Sequence, residues 1–189
     1  IACHQIRHPW DRCRNQNHHC PTPGVELGAD LDPKAYWVGF NLVKGVGAAR
    51  LKQIIEFFGS LETAWNSPTD GLASAGLPPK VVENFQRVKT QVDLEKVMER
   101  ISAQNVKVMT WEDGDYPRRL KEINQSPPVL FIRGSINVED DWAVAVVGTR
   151  RVTPYGRQVT AEIARFLAQN GVSVVSGLAR GVDAIAHQE

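Results

Sequence analysis

Two short stretches late in the chain carry residue types that hold anions. Residues 148–156 read GTRRVTPYG and residues 176–183 read SGLARGVD. Each joins glycine, a hydroxyl and arginine, follows an apolar run and precedes a helical pattern. A glycine lets backbone N–H groups approach a phosphate that a Cβ would hold off, and a helix start adds unpaired donors. Arginine adds a charge whose forked donors match two phosphate oxygens. The chemistry expected is phosphate binding. The first loop would supply Gly148, Thr149, Arg150, Thr153, Tyr155 and Gly156, and the second Ser176, Gly177, Ala179, Arg180 and Gly181.

Arg150 stands at a strand exit, where a long cation is seldom needed for packing, so phosphate binding is the expectation. Arg151 reads equally well as solvated surface. Tyr155 can stack on a base or pack on its own loop. Asp183 is expected to organise the second loop by accepting backbone N–H groups, since a carboxylate has little use against a polyanion. His187 has neither a nucleophile nor a carboxylate pair beside it, so no catalytic residue is expected.

The elements that position these loops follow from periodicity. Residues 143–147 (AVAVV) are a continuous apolar run, expected as a strand buried on both faces. Thr153-Pro154 supplies an N-cap and first helical residue, and the helix should run to Asn170. Its Val159, Ile163, Phe166 and Leu167 are expected to face the sheet, and Gly171 to end it. Residues 172–175 form the next strand. This β-α-β-α order predicts parallel strands, with both loops at the carboxyl ends where open α/β sheets bind ligands. A dinucleotide enzyme is the rival. However, the first loop is not G-x-G-x-x-G, and the second strand ends in Ser176-Gly177 rather than an acid for ribose hydroxyls. Two anion loops side by side suggest successive phosphates of a longer ligand.

The rest of the chain sets the context. Its 189 residues are 42% hydrophobic and 23% charged with a formal net charge of +1, so a nucleic-acid role must rest on local clusters. No run approaches the ~18 apolar residues of a membrane span, and a cytoplasmic protein is expected. The chain starts at Ile1 and stops just after a helix start, which reads as a piece of a longer protein. Residues 1–32 are expected to be a flexible extension. They hold Cys3, Cys13, Cys20, His4, His8, His18 and His19, but no C-x₂-C pair is among them and the His4/His8 spacing stands without one, so no metal is expected.

From Asp32-Pro33 the pattern turns helical. Tyr36, Trp37, Phe40 and Val43 recur at helical spacing, as do Leu51, Ile54, Ile55 and Phe58 before Gly59. Gly45-Val46-Gly47 between them looks like the turn of a helix-hairpin-helix, in which backbone N–H groups meet a phosphate. Lys44, Gly45, Gly47 and Arg50 are the candidate secondary DNA contacts. The plain alternative is an αα-hairpin whose glycines only allow close packing. Further helices follow Pro78-Pro79 and span 92–104. A connecting segment then gives a strand at 106–109, a short helix from Tyr116-Pro117 and a strand at 129–132, before a polar, acidic loop at 134–141.

Residues 144–187 closely resemble the DNA-processing protein A (DprA/Smf) family. Gly148, Arg150, Thr153, Tyr155 and Gly156 match its G-[ST]-R-x-x-[ST]-x-Y-G motif, and Ser176, Gly177, Ala179, Gly181 and Asp183 its S-G-x-A-x-G-[IV]-D motif. Tyr116, Pro117, Leu120, Pro127, Pro128, Leu130 and Gly134 match a further segment. The resemblance implies an α/β fold: a helical, helix-hairpin-helix or SAM-like domain over 33–104, then over 105–189 the beginning of an extended Rossmann-like, parallel-sheet DNA-binding domain, cut short at the C-terminus. It implies a non-catalytic, cofactor-free protein of natural transformation that binds and protects incoming single-stranded DNA and loads the RecA recombinase, as a homodimer when whole. The rival class is a nucleotide-processing enzyme of the lysine-decarboxylase-like Rossmann group, acting on nucleoside monophosphates.

Overall fold

Asp32 opens the first helix as its side chain dictates: Oδ1 accepts the Lys34 N–H at 2.8 Å, and Pro33 occupies the first helical position. The computed structural model describes residues 31–136 and 142–189. The expectations of a flexible, metal-free extension and of an acidic interdomain loop thus fall largely outside the described residues. Asp32–Glu189 forms one unit.

Six helices come first: α1 (Pro33–Leu42), α2 (Ala48–Phe58), α3 (Leu61–Asn66), α4 (Thr69–Ser74), α5 (Pro79–Gln91) and α6 (Leu94–Ala103). Ser60 and Asp93 cap α3 and α6 with their side chains, and Gly59 ends α2 in the left-handed conformation. Helix α1 has six consecutive buried residues, Ala35 to Phe40, and therefore runs through the centre, packed on α3, α5 and α6. The core beside it is aromatic. Phe40 stacks on Phe85 at 5.3 Å, and Trp65 meets both rings edge-on at 5.4 and 5.2 Å.

The connecting segment forms β1 (Val106–Thr110), α7 (Arg118–Lys121) and β2 (Val129–Arg133). β1 and β2 pair antiparallel, with Val106 opposite Arg133 and Thr110 opposite Val129. Among the described residues they make a sheet of their own, and β1 packs on α1 and α6. This packing runs across residue 105, where the sequence suggested a division. Buried polar contacts fix the turn between the strands. The Tyr116 hydroxyl donates to the Pro127 carbonyl at 2.7 Å and pairs with Ser126 Oγ at 2.9 Å, while Trp111 Nε1 donates to the same oxygen. Lys34 Nζ reaches Asp113 at 2.8 Å and the Val108 carbonyl at 3.1 Å, tying α1 to the strand end. Burial alone would raise the Asp113 pKa, but Lys34 and the Thr110 donors outweigh it and hold the carboxyl below its ordinary value.

The last four elements are β3 (Ala143–Ala145), α8 (Pro154–Gln169), β4 (Ser173–Val175) and α9 (Val182–Ala186). β3 and β4 are parallel, Ala143 opposite Ser173 and Ala145 opposite Val175, and α8 packs on β4 and α9. Two expectations are corrected here. The first strand is shorter than 143–147, and it is not buried on both faces: Val144 and Val147 are exposed. Along α8, Thr160 and Ala164 are the buried line, whereas Ile163 and Phe166 are exposed. The physical reason is width, since two strands and a five-residue helix cover only one narrow strip of α8.

Candidate functional site

The two loops leave β3 and β4 at the same end of a parallel pair, so their backbones run side by side. Gly181 is where they meet. Its φ of +93° and ψ of −128° suit glycine, and a Cβ there would overlap the Thr149 carbonyl oxygen and lie 2.7 Å from Arg150 Cα. Immediately after it, the Val182 N–H donates to the Thr149 carbonyl at 3.2 Å. Gly148 is equally close to its neighbour: a Cβ there would meet the Val182 side chain at 2.7 Å. One strand lower, the Ser176 hydroxyl donates to the Val146 carbonyl at 2.6 Å. Thus Thr149 and Arg150 meet Gly181 through backbone contact, Gly148 lies against the Val182 side chain, and Ser176 ties the second loop to Val146.

Within each loop a side chain organises the turn. Thr149 Oγ1 accepts the Arg151 N–H at 3.1 Å, and Thr153 Oγ1 accepts the Gly156 N–H at 3.1 Å as the cap of α8. In the second loop Asp183, only 7% exposed, accepts the Gly177 and Ala179 N–H groups at 3.1 and 3.4 Å. The carboxylate therefore shapes the loop from beneath.

These contacts narrow what can face a ligand. The N–H groups of Gly156, Gly177 and Ala179 and the Ser176 hydroxyl are engaged within the protein, Pro154 has none to offer, and α9 is a single short turn. Cationic side chains stand beside the other N–H groups of the two loops. Arg150, Arg151 and Arg180 are exposed, as is Arg157 in the first turns of α8, and none of the four is ion-paired among the described residues. Guanidinium groups without a carboxylate keep their forked donors for an incoming anion. Tyr155 projects beside them, 77% exposed. His187 is exposed, with Nε2 3.4 Å from the Ser176 carbonyl.

Sequence reasoning passed over two residues. Arg157 was absorbed into a helix pattern. Leu178 was passed over because leucine normally reads as core, yet it is 77% exposed with φ at +55°. That left-handed conformation costs an L-residue about 1–2 kcal/mol.

The hairpin candidates lie elsewhere. Gly45, at φ +97°, turns the chain against Val81 of α5, whose Cγ2 would lie 3.1 Å from a Cβ. Asn84 donates to the Lys44 carbonyl at 2.8 Å, and Arg50 Nη1 donates to the Gly45 carbonyl. Gly47, Arg50 and Lys52 line a cavity of about 430 Å³ together with Asn124 and Gln125, and none of its lining residues comes from the two loops. Lys52 Nζ sits 5.4 Å from the Trp111 ring centroid. Among the described residues no cluster of His, Cys, Asp and Glu could hold a metal ion, and no helix is long and apolar enough to cross a membrane.

Comparison with known proteins places this arrangement. Residues 107–189 match the family described as DNA recombination-mediator protein A. The chain is 35% identical over 159 residues to protein Smf of Synechocystis sp., covering 82% of this chain and 40% of that protein. It is 33% identical over 95 residues to DNA processing protein DprA of Bacillus subtilis, covering 50% of this chain and 32% of the relative. The chain thus spans about two-fifths or less of the length of these relatives. The X-ray structure of DNA processing protein A from Streptococcus pneumoniae superposes with a TM-score of 0.59 at 24% identity, over 82% of this chain and 52% of that one. This likeness supports the α/β fold with a helical N-terminal region. The loops described above fall inside the matched segment, and the chain belongs to the DNA recombination-mediator protein A (DprA/Smf) family.

Proposed function

We propose that this chain carries the single-stranded DNA grip of a recombination mediator. In the whole protein, a cytoplasmic homodimer, the grip would protect DNA taken up in natural transformation and present it to the RecA recombinase. The observation that carries the reading is the backbone contact at Gly181. It brings Arg150 and Arg180 to one end of a parallel strand pair, with no carboxylate partner among the described residues. Arginines on two adjoining loops, unpaired among the described residues, suit successive phosphates of one polymer, and phosphate contacts position a strand without reading its bases. The names carried by the relatives, DNA processing and recombination mediation, agree with such a ligand.

A binding role also fits the carboxylate chemistry. Asp183 is the buried acid of this region, and its oxygen is occupied by backbone donors rather than held ready for proton transfer. The family resemblance supports RecA and a second copy as partners. The deciding experiment titrates single- and double-stranded oligonucleotides into the protein at two salt concentrations. Tighter, salt-dependent and sequence-tolerant binding of the single strand is expected. Release of free base from a nucleoside monophosphate, with no preference for single strands, would move the assignment to the nucleotide-processing class.

A further inference from the structure

We infer that Leu178 contacts the bases, and that it is the residue by which this site prefers a single strand to a bare phosphate chain. The inference rests on the nucleic-acid reading of the loops and adds a second kind of contact to it.

Two non-glycine residues among those described have positive φ, Asn105 and Leu178. Asn105 follows α6, and asparagine tolerates that conformation because its short amide bonds locally. Leucine has no such compensation. A strained leucine is ordinarily retained where its side chain fills a core, but this one is 77% exposed. Glycine at 178 would satisfy the same backbone without strain. The described residues leave this leucine largely uncovered. Backbone strain combined with exposure is the pattern of a residue held for a ligand.

The surroundings name the ligand's chemistry. The N–H groups on either side of Leu178, those of Gly177 and Ala179, are tied down to the buried Asp183, so the loop is rigid and its apolar side chain is thrust outward. Unpaired Arg180 lies two residues away, and the loop is in backbone contact with Arg150 through Gly181. An apolar tip two residues from Arg180, on a loop that touches Arg150, fits a ligand that alternates anionic and flat apolar parts. A single nucleic-acid strand does so, offering phosphates to the arginines and an unstacked base face to the leucine. In a duplex those base faces are covered by their neighbours.

The test uses the full chain and two probes of equal length, an oligothymidylate and an abasic phosphodiester, read by fluorescence anisotropy. The unaltered protein should favour thymidylate about five- to tenfold, as burying part of a leucine side chain against a base provides. Leu178→Gly should abolish that preference while keeping abasic affinity, the salt slope and the thermal midpoint. The midpoint rises if anything, because the strain is removed. Leu178→Asn, which accepts the same backbone with a polar side chain, should behave alike and separates base contact from added flexibility. A preference that persists in both variants overturns the inference. So does an equal fall for both probes, which would make Leu178 a shaper of the loop. A changed oligomeric state with the preference intact would assign the leucine to a second copy and overturn it too. If the unaltered protein binds neither probe, it is the nucleic-acid reading itself that fails.

Discussion

The hairpin turn and the paired loops both bring glycine and arginine together, and they spend their donors differently. At the hairpin, Arg50 is committed to the Gly45 carbonyl, Asn84 holds the Lys44 carbonyl, and Gly45 packs on α5. At the paired loops, Gly181 carries the backbone contact and Asp183 takes the Gly177 and Ala179 N–H groups, while the arginines have no ion-pair partner among the described residues. Composition is nearly the same in both places. What distinguishes the arginines of the two turns is whether the guanidinium already has an acceptor. A guanidinium paired to a carbonyl inside its own turn has little left for a phosphate, whereas an unpaired one keeps its whole fork.

The largest effect should come from breaking the contact between the loops. Gly181→Ala puts a Cβ into the Thr149 carbonyl and asks alanine to adopt a φ of +93°. The backbone conformation alone costs about 1–3 kcal/mol, and relieving the overlap must part the loops. Single-stranded DNA binding should fall by about two decades or more, with a lower thermal midpoint. Gly47→Ala is the control from the other turn. Nothing lies within 4 Å of a Cβ there and the backbone is extended, so stability should hardly change. Equal tolerance at both positions, measured by thermal unfolding and anisotropy, would erase the distinction between the turns.

Next comes Arg150→Ala. The side chain is exposed and unpaired, so the thermal midpoint should stay put while single-strand affinity drops. A charge-assisted contact contributes about 1.5–3 kcal/mol, or roughly one to two decades, and losing one phosphate should lower the salt slope by about 0.7. Arg150→Lys should recover part of the loss, since the charge remains without the fork. Normal binding by Arg150→Ala would make the first loop scaffolding.

Local rules carried much of the fold from the sequence. Asp32-Pro33 and Thr153-Pro154 cap their helices as their types require, Gly59 ends α2, and strands appear close to where apolar runs place them. The parallel pairing of β3 with β4 also followed from the β-α-β order, but the pairing of β1 with β2 was not legible in that way. That β1 joins β2 antiparallel on the helical side is decided by residues twenty or so positions apart and by packing on α1 and α6. Burial failed for a related reason, since the α8 pattern shows an apolar stripe but not how wide a sheet meets it. At the site, the glycines and arginines were readable by type. The engagement of Gly177 and Ala179 by Asp183 depends on how the loop closes back on α9, and Leu178 was hidden by the ordinary meaning of leucine.

Tyr116→Phe sharpens the comparison from the scaffold side. Its hydroxyl is buried and makes two hydrogen bonds that close the turn between β1 and β2. Removing it should cost about 1–3 kcal/mol, seen as a lower denaturant midpoint with unchanged slope. Affinity of the folded protein for DNA should not change. A selective loss of binding would give that motif segment a direct part in the interface.

The smallest effect is expected at the hairpin, and it separates two cations a few residues apart. Arg50→Ala removes a partly exposed hydrogen bond to the Gly45 carbonyl, worth about 0.5–1.5 kcal/mol of stability, and should leave the salt slope of DNA binding untouched. Lys44 is exposed, and only its backbone carbonyl is held, by Asn84, so Lys44→Ala should leave stability alone. If the cavity beside Gly47, Lys52, Asn124 and Gln125 receives a second stretch of the strand, Lys44→Ala should flatten the salt slope by up to about 0.7 and weaken binding less than tenfold. An unchanged slope would leave the hairpin a packing element, because the loss of a phosphate contact must appear as fewer counterions released. The double variant then discriminates further: additive losses of stability and slope mean that the two residues act separately. A slope that falls only when Arg50 is also replaced would mean that Arg50 exchanges its carbonyl partner for a phosphate when DNA arrives.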